Sequence, residues 1–242
     1  MGAEKPKMIK LHGRRKGRPL RAGLQTLVED LLPRLAVALP AAGQVLDLEA
    51  LFAESPFADR PPPTAYWYEI GFGGGEHLAW QAAANPQVGL IGAEIFINGI
   101  ATLLRAAQQQ RLGNVRVLQN DARELLSRLP DNCLSRVFLL FPDPWPKKRH
   151  ADRRFVQTEN LDQLARVMKD DAEFRLGTDN MIYLRWSLRL FIDHPDFEWL
   201  AQGPDDWRHR PADWPQTRYE AKQLAGVPKF LRFRRLPRAR SV

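Results

Sequence analysis

Apolar positions in the main part of the chain form short continuous runs, and segments with helical spacing lie between them. The continuous runs predict buried strands at residues 65–70, 88–93, 115–118, 135–141 and near 173–177. The intervening segments predict helices over residues 76–84, 97–112, 122–129, 155–168 and about 181–192. Strands that alternate with helices of this length indicate βαβ units. The predicted fold class is therefore α/β, with a mostly parallel sheet and helices on both faces.

The two ends of the chain follow other patterns. Between residues 24 and 35 apolar side chains recur at helical spacing, which predicts one amphipathic helix over about 22–39 that ends before Gly43. Residues 197–201 and 229–236 are strand-like, and the stretch between them is irregular and rich in Trp and Pro, which predicts an antiparallel strand pair. We divide the chain into an N-terminal extension, residues 1–60, and a main domain, residues 61–242.

Basic residues are concentrated at both ends of the chain. The formal net charge is +8, yet residues 1–21 carry +7 and residues 228–242 carry +6, so residues 22–227 carry −5. Basic ends on an acidic body are typical of a protein that binds a polyanion, although they also serve solubility. Charge alone does not distinguish RNA from DNA or from anionic lipid.

Some classes of protein are disfavoured by the composition. The single cysteine, Cys133, excludes an internal disulfide and a multi-cysteine metal site, and we expect no metal. The apolar stretches fall short of the roughly 20 residues that a membrane-spanning helix needs, and the charged N-terminus lacks the apolar region of a secretory signal. We expect a protein of the cytoplasm without a membrane partner.

A glycine-rich turn follows the first predicted strand, in the sequence Glu69-Ile70-Gly71-Phe72-Gly73-Gly74-Gly75-Glu76. A dinucleotide fingerprint would need glycine where this chain has Glu76, and an acid at a helix N-terminus repels a pyrophosphate. The frame that fits is E-x-G-x-G-x-G, which is typical of methyltransferases whose cofactor, S-adenosylmethionine, carries a positive sulfonium. We expect Glu69, Gly71 and Gly73 to bind this cofactor.

Two further acids follow the next two strands. Glu94 lies 23 residues after Gly71, near the spacing at which an acid meets ribose hydroxyls. Asp121, preceded by Asn120, is placed to accept a hydrogen bond from an adenine amino group. The alternatives are a solvated strand end for Glu94 and a helix N-cap for Asp121, and one residue can serve both purposes.

The segment after the fourth strand reads Phe141-Pro142-Asp143-Pro144-Trp145-Pro146-Lys147-Lys148-Arg149-His150. Its three prolines fix φ and favour extended conformations in the residues before them. The pattern predicts a stiff arm that carries Asp143, Trp145 and Lys147 past the end of the sheet. A stacked base and burial beneath the loop are both open for Trp145.

This arm, the glycine-rich turn and the run Pro215-Gln216-Thr217-Arg218-Tyr219-Glu220 closely resemble the bacterial tRNA (guanine-N7)-methyltransferases. The resemblance covers roughly residues 60–236, and residues 12–18 are similar to the family's basic N-terminal element. It implies a class I, Rossmann-like methyltransferase fold and modification of a guanine in the variable loop of tRNA. Residues implied at the S-adenosylmethionine pocket are Glu69, Glu94, Asp121 and Asp143. Residues implied at the substrate are Lys147, Asp179, Thr217, Arg218, Tyr219 and Glu220.

The chemistry of the expected reaction agrees with these residues. Guanine N7 carries a lone pair and no proton, so methylation needs alignment and no general base. We expect Asp143 to be catalytic by stabilising the cationic product, and His77 and His150 to be structural or RNA-contacting. Asp179 is a candidate acceptor for the guanine edge, with helix capping as the alternative. Residues expected to follow RNA phosphates are Arg14, Arg15, Lys16, Lys147, Lys148, Arg149, Arg153 and Arg154.

Three other functions compete with this interpretation. The glycine frame and the proline-rich arm disfavour an NAD-dependent dehydrogenase. The intact acids at the strand ends disfavour an RNA-binding protein that has lost catalysis. The basic ends disfavour a methyltransferase for proteins or small molecules. The sequence leaves open whether the protein is a monomer or a homodimer. The chain also departs from the family after His150, where it has Ala151-Asp152. The family usually has an Asn or a similar residue followed by Lys at these positions.

Overall fold

The structure is a computed structural model that describes residues 13–57 and 61–238. Seven strands form one sheet in the order β3-β2-β1-β4-β5-β7-β6. Their bounds are β1 Ala65–Ile70, β2 Val88–Ala93, β3 Val115–Leu118, β4 Leu134–Leu140, β5 Met168–Thr178, β6 Phe197–Trp199 and β7 Lys229–Arg235. The sequence predicted each of these strands, although β5 is longer than expected. His12, which the resemblance included, lies outside the described residues.

Strand direction follows the prediction. Strands β1 to β5 pair in parallel, whereas β7 is antiparallel to both β5 and β6. The chain moves outward from β1 to β3 and then returns to place β4 on the other side of β1. The gap beyond the carboxyl ends of β1 and β4 is therefore the switch point of strand order, where α/β folds bind their ligands.

The helices cover both faces of the sheet. Their bounds are α1 Ala22–Asp30, α2 Leu32–Leu35, α3 Leu48–Phe52, α4 Glu76–Ala84, α5 Ile97–Gln110, α6 Ala122–Leu126, α7 Thr158–Val167, α8 Met181–Asp193, α9 Asp205–Arg208 and α10 Arg218–Lys222. Successive residues of β1 point to opposite faces, so Trp67 belongs to one buried cluster and Tyr68 to the other. The sheet thus separates two apolar cores.

The predicted N-terminal helix is wrong at its C-terminal end. It breaks at Leu31, between α1 and α2, and the chain is extended after Leu35. Ala36 forms a parallel bridge with Val117, and Val37 donates a hydrogen bond to the Val117 carbonyl at 2.9 Å. The edge of β3 offers unpaired backbone groups that this segment satisfies, which a helix over the same residues would leave open.

Other boundaries differ by a few residues. Helices α5 and α6 end at Gln110 and Leu126, earlier than the pattern suggested, and α7 begins only at Thr158. Helix α7 is followed directly by β5 at Met168. The short helices α3, α9 and α10 were not predicted, because segments of four or five residues are too short to show a helical repeat.

Candidate active site

One cavity of about 520 Å³ opens at the switch point. Nine of the thirteen residues predicted for the site line it: Glu69, Gly71, Gly73, Glu94, Asn120, Asp121, Asp143, Thr217 and Tyr219. The other four, Lys147, Asp179, Arg218 and Glu220, are not among its lining residues. The cavity therefore joins the glycine-rich turn, the acids at the strand ends and the proline-rich arm, as the sequence predicted.

Glu69 is held in place by a buried histidine. Glu69 is 2% exposed, and its Oε2 lies 2.7 Å from Nδ1 of His77. The amide nitrogen of Gln81 lies 3.2 Å from Nε2 of His77 and also donates to the Asp213 carbonyl at 2.9 Å. Because an amide nitrogen only donates, His77 accepts at Nε2 and donates from Nδ1 to Glu69. His77 thus orients the carboxylate.

Glu94 fastens the second strand to the glycine-rich turn. Its Oε2 accepts from the Gly73 amide at 2.8 Å, and its Oε1 accepts from the amides of Ile95 and Phe96 at 2.8 and 2.9 Å. Burial raises the pKa of Glu94, the three amide donors act to lower it, and the negative charge of Asp143 raises it further. Glu94 is therefore not a solvated strand end.

Asp121 both caps a helix and lines the cavity, the two roles that the sequence left open. Its side chain caps α6 by accepting from the Arg123 amide at 2.9 Å, and it also lines the cavity. The guanidinium of Arg123 pairs with the same carboxylate, with Nε at 2.9 Å and a terminal nitrogen at 2.7 Å. The Asn120 side chain accepts from the Asp121 amide at 2.8 Å and fixes the turn before the cap.

The proline-rich arm is not extended in the way that the sequence suggested. Phe141 and Trp145, which precede two of the prolines, have φ values of 50° and 42°. The left-handed region is unfavourable for such residues, and each costs about 1–3 kcal/mol that the surrounding structure must offset. Asp143 lies between them and lines the cavity, and its carboxylate accepts no hydrogen bond from the described residues.

The buried side chain of Arg154 is hydrogen-bonded to the backbone of the arm. It is 5% exposed, so the expected contact between Arg154 and RNA phosphates is wrong. Its Nε donates to the Pro144 carbonyl at 3.1 Å, and a terminal nitrogen donates to the Trp145 carbonyl at 2.9 Å. The neighbouring Arg153 instead lies over the Trp145 ring, 4.9 Å from its centroid, and both residues line the cavity.

Asp179 does not cap a helix, which was the alternative to substrate binding. Asn180 caps α8 by accepting from the amides of Ile182 and Tyr183 at 3.0 and 3.1 Å. The carboxylate of Asp179 accepts from the Ala225 amide at 2.9 Å. Asp179 therefore ties the end of β5 to the loop that follows α10.

Helix α10 lies across the glycine-rich turn. Thr217 caps it by accepting from the Glu220 amide at 3.2 Å, and a Cβ on Gly73 would lie 3.1 Å from the Tyr219 ring. Arg218 forms an ion pair with Glu76 at 3.0 Å. Glu220 is 6% exposed and accepts from Arg210 at 2.9 Å. The second oxygen of Glu220 has no hydrogen-bond partner in the part of the chain that the structure describes.

The basic segment near the N-terminus also reaches the cavity. Gly13 and Arg14 line it, a position that the sequence did not reveal for either residue. The Asn98 side chain accepts from the Gly17 amide at 2.8 Å and donates to the Arg18 carbonyl at 2.7 Å. These bonds hold the segment against the start of α5, next to Glu94.

Two further properties concern the described residues as a whole. Across residues 13–57 and 61–238, His, Cys, Asp and Glu side chains form no group that would hold a metal ion. Among the same residues, no helix is long and apolar enough to cross a bilayer.

Comparison with known proteins identifies the family. A family model described as a putative methyltransferase matches residues 64–229. Relatives from Rhodospirillum rubrum and Paramagnetospirillum magneticum, each named tRNA (guanine-N(7)-)-methyltransferase, are each 50% identical over 98% of this chain, covering 92% and 95% of the relatives. A solved putative methyltransferase from Streptococcus mutans, in complex with SAH, shares the fold with a TM-score of 0.50 at 6% identity, over 72% of this chain and 90% of its own. The chain belongs to the tRNA (guanine-N7)-methyltransferase family.

Proposed function

We propose that the protein transfers a methyl group from S-adenosylmethionine to N7 of a guanine in the variable loop of tRNA, giving 7-methylguanosine. The observation that carries this proposal is the shared cavity, which brings Asp143 on the arm together with the glycine-rich turn. The names of the relatives supply the substrate class and the position on the base.

The residues of the cavity fit S-adenosylmethionine, which supplies an electrophilic methyl group when it is bound. The volume lies within the range of small-molecule sites, and a Cβ on Gly71 would meet no atom within 4 Å, so this side of the cavity is open to a ligand. Glu69, Glu94, Asp121 and Asp143 give the cavity the negative charge that suits a sulfonium. Gly71, Gly73 and Asn120 complete the proposed cofactor-binding set.

Two carboxylates in the cavity each have one hydrogen-bond acceptor position left for the cofactor. A carboxylate has about four lone-pair positions, and Glu94 uses three of them for backbone amides. We assign the remaining position on Glu94 to a ribose hydroxyl. Asp121 likewise accepts three hydrogen bonds from Arg123, which leaves one position for the adenine amino group.

Asp143 is the residue that we assign to the reacting centre. Guanine N7 has no proton to remove, so the protein contributes mainly by aligning the base with the methyl donor, an effect that reaches about 7–11 kcal/mol in favourable cases. Methylation leaves the base cationic. The carboxylate of Asp143, which lines the cavity and accepts no hydrogen bond from the described residues, would stabilise this charge as it develops.

Recognition of the guanine falls to residues around the mouth of the site. Asp179 uses one oxygen for the Ala225 amide, and its other oxygen is available to the base. Thr217 lines the cavity, and we assign it to the base as well. Glu220 is buried against Arg210 and does not line the cavity, so we assign it to holding helix α10 in place. We assign Lys147, Arg218 and Tyr219 to contacts with the nucleotides around the target.

The target base must be accessible. The major groove of A-form RNA is deep and too narrow for side chains, so N7 is reached in an unpaired or loosely paired base. Exposed cations on the arm and on the N-terminal segment, among them Lys147, Arg149 and Arg14, would follow the phosphates of tRNA.

Incubation with labelled S-adenosylmethionine and bulk unmodified tRNA tests the proposal. After complete digestion, chromatography of the nucleosides should show label in 7-methylguanosine and in no other nucleoside. The control is the Asp143→Ala variant, which should bind tRNA and transfer little label. Absence of 7-methylguanosine with the wild-type protein, or label in another nucleoside, would contradict the proposed function.

A further inference from the structure

Arg154 is a buried charged residue that carries no role in the reaction proposed above. It is 5% exposed, and its side chain contacts the arm that carries Asp143. We propose that Arg154 is a positioning residue, which fixes the backbone on the C-terminal side of Asp143 so that the carboxylate faces the cavity. This inference rests on the proposed function, because it assigns Arg154 to the alignment that methyl transfer requires.

The two hydrogen bonds of Arg154 act directly after Asp143. Nε donates to the carbonyl of Pro144, and a terminal nitrogen donates to the carbonyl of Trp145, at 3.1 and 2.9 Å. The guanidinium is planar and presents its donors in a rigid fork, so two bonds to consecutive carbonyls fix the orientation of that stretch of backbone. A lysine ammonium, which is a point charge on a flexible stem, lacks this geometry.

The guanidinium is itself held by an aromatic ring. Its central carbon lies 4.6 Å from the centroid of Trp186, which belongs to α8. The indole nitrogen of Trp186 donates to the Val156 carbonyl at 2.7 Å, so the ring is anchored. Arg154 therefore connects the arm to a helix of the main domain and not to another loop.

The arm has few backbone amides that could fix it, namely those of Phe141, which donates to the Gly177 carbonyl at 2.7 Å, and of His150, which donates to the Lys147 carbonyl at 2.9 Å. Pro142, Pro144 and Pro146 have no amide hydrogen, which removes three of the donors that a loop would normally use. Phe141 and Trp145 are held in the left-handed region on either side of Asp143. Such conformations persist only where surrounding contacts determine them, and on the C-terminal side Arg154 contacts the Trp145 backbone while Arg153 contacts the Trp145 ring.

Arg116 provides a matched comparison elsewhere in the molecule. It is 3% exposed, its guanidinium lies 4.6 Å from the centroid of Phe52, and it also donates to backbone carbonyls, including those of Leu51 and Gly113 at 2.8 and 3.0 Å. It does not line the cavity. A change at Arg116 therefore reproduces the loss of a buried, stacked arginine without touching the arm.

The experiment compares Arg154→Lys with Arg116→Lys. We expect Arg154→Lys to lower kcat by about 10²-fold, the effect of a misplacement of about 1 Å, with dissociation constants for tRNA and S-adenosylmethionine within about twofold of wild type. Arg116→Lys should retain the wild-type kcat. In the free protein, hydrogen exchange followed by mass spectrometry should show faster exchange in peptides that contain the amides of Phe141 and His150 only for Arg154→Lys.

Several results would overturn the proposal. A wild-type kcat for Arg154→Lys would do so, as would an equal loss of kcat in Arg116→Lys or faster exchange spread over the whole chain. If wild-type protein makes no 7-methylguanosine, the proposed function fails, while the exchange experiment still decides whether Arg154 fixes the arm.

A second pair of variants applies if Arg154→Lys does not fold. Trp186→Leu removes the ring beneath the guanidinium, whereas Trp186→Phe keeps an aromatic face. We expect Trp186→Leu to lower kcat and speed exchange of the arm, and Trp186→Phe to restore both toward wild type. Equal kcat values for the two variants would contradict the role of the stacked guanidinium.

Discussion

Gly99 in α5 packs against the backbone of Gly73 so closely that a methyl group on Gly99 would overlap the Gly73 carbonyl oxygen. Gly99 is buried near the start of the helix, and Gly73 belongs to the turn that lines the cavity. Because the overlapping atom is backbone, a rotation of a side chain cannot relieve it. The position of α5 and the shape of the glycine-rich turn therefore depend on each other.

We predict that Gly99→Ala distorts this turn. The added methyl group should displace the Gly73 amide from Glu94 and destabilise the fold by about 1–3 kcal/mol, the usual cost of overpacking. Affinity for S-adenosylmethionine should fall, because the hydrogen bond between Glu94 and Gly73 shapes the cofactor end of the cavity. Calorimetric binding and denaturant unfolding measure the two effects separately.

Gly23→Ala is the control for this substitution. A Cβ on Gly23 would meet no atom within 4 Å, and the residue lies in α1 with an ordinary helical conformation. Alanine should stabilise the helix by about 0.5–1 kcal/mol and leave cofactor affinity unchanged. A wild-type affinity for Gly99→Ala would show that the turn adapts to the added methyl group.

The sequence predicted the sheet and most of the cavity because strands and strand-end acids leave local patterns. Buried parallel strands are continuous apolar runs; Glu94 follows β2 directly, and Asp121 lies three residues after the end of β3. The close approach of Gly99 to Gly73 was not predictable, since it depends on how α5 packs after folding. A single glycine within a helical pattern does not reveal its neighbour.

The burial of Arg154 was also not predictable from the sequence. In the sequence it is one of several cations after the arm, and nothing local distinguishes it from the exposed Arg149. Its burial depends on Trp186, which lies 32 residues further along the chain. Residues 22–39 were likewise predicted as one helix, because the edge of β3 that binds Ala36 is remote from them in sequence.

Asp143→Ala should abolish most methyl transfer while leaving the tRNA affinity close to that of wild type. The carboxylate accepts no hydrogen bond from the described residues, so its removal should cost the fold little. Loss of a preorganised group that stabilises developing charge typically lowers kcat by about 10²–10³-fold. Single-turnover rates with saturating tRNA test this effect, and full activity in the variant would contradict the catalytic role.

Cofactor affinity should decline in mildly acidic solution because of Glu94. Burial raises the pKa of this carboxyl group above its ordinary value, so protonation begins closer to neutral pH than for an exposed glutamate. Protonation removes the acceptor that we assign to the ribose, and affinity should then fall by up to tenfold for each further pH unit. Titrations with S-adenosylmethionine at a series of pH values measure the decline.

Protonation of Glu94 should not lower the stability of the fold. A carboxyl group whose pKa is raised in the folded state destabilises the fold when ionised, and this penalty is relieved as pH falls through the raised pKa. Glu94 therefore weakens cofactor binding at low pH without unfolding the protein. Asp143→Asn removes a charge that raises the pKa of Glu94, so the decline should move to lower pH in that variant. An unchanged profile would contradict the coupling of the two acids.

The tRNA affinity should depend steeply on salt concentration through the exposed cations of the arm. Lys147 and Arg149 are exposed, and each phosphate that they neutralise should contribute about 0.7–0.9 to the slope of log affinity against log salt. Lys147→Ala and Arg149→Ala should each reduce the slope by about that amount. Arg189→Ala is the control, because this exposed residue on α8 pairs with Asp193 at 3.7 Å and does not line the cavity. Equal slopes for all three variants and wild type would place the tRNA backbone away from the arm, since a cation that meets no phosphate releases no counterion.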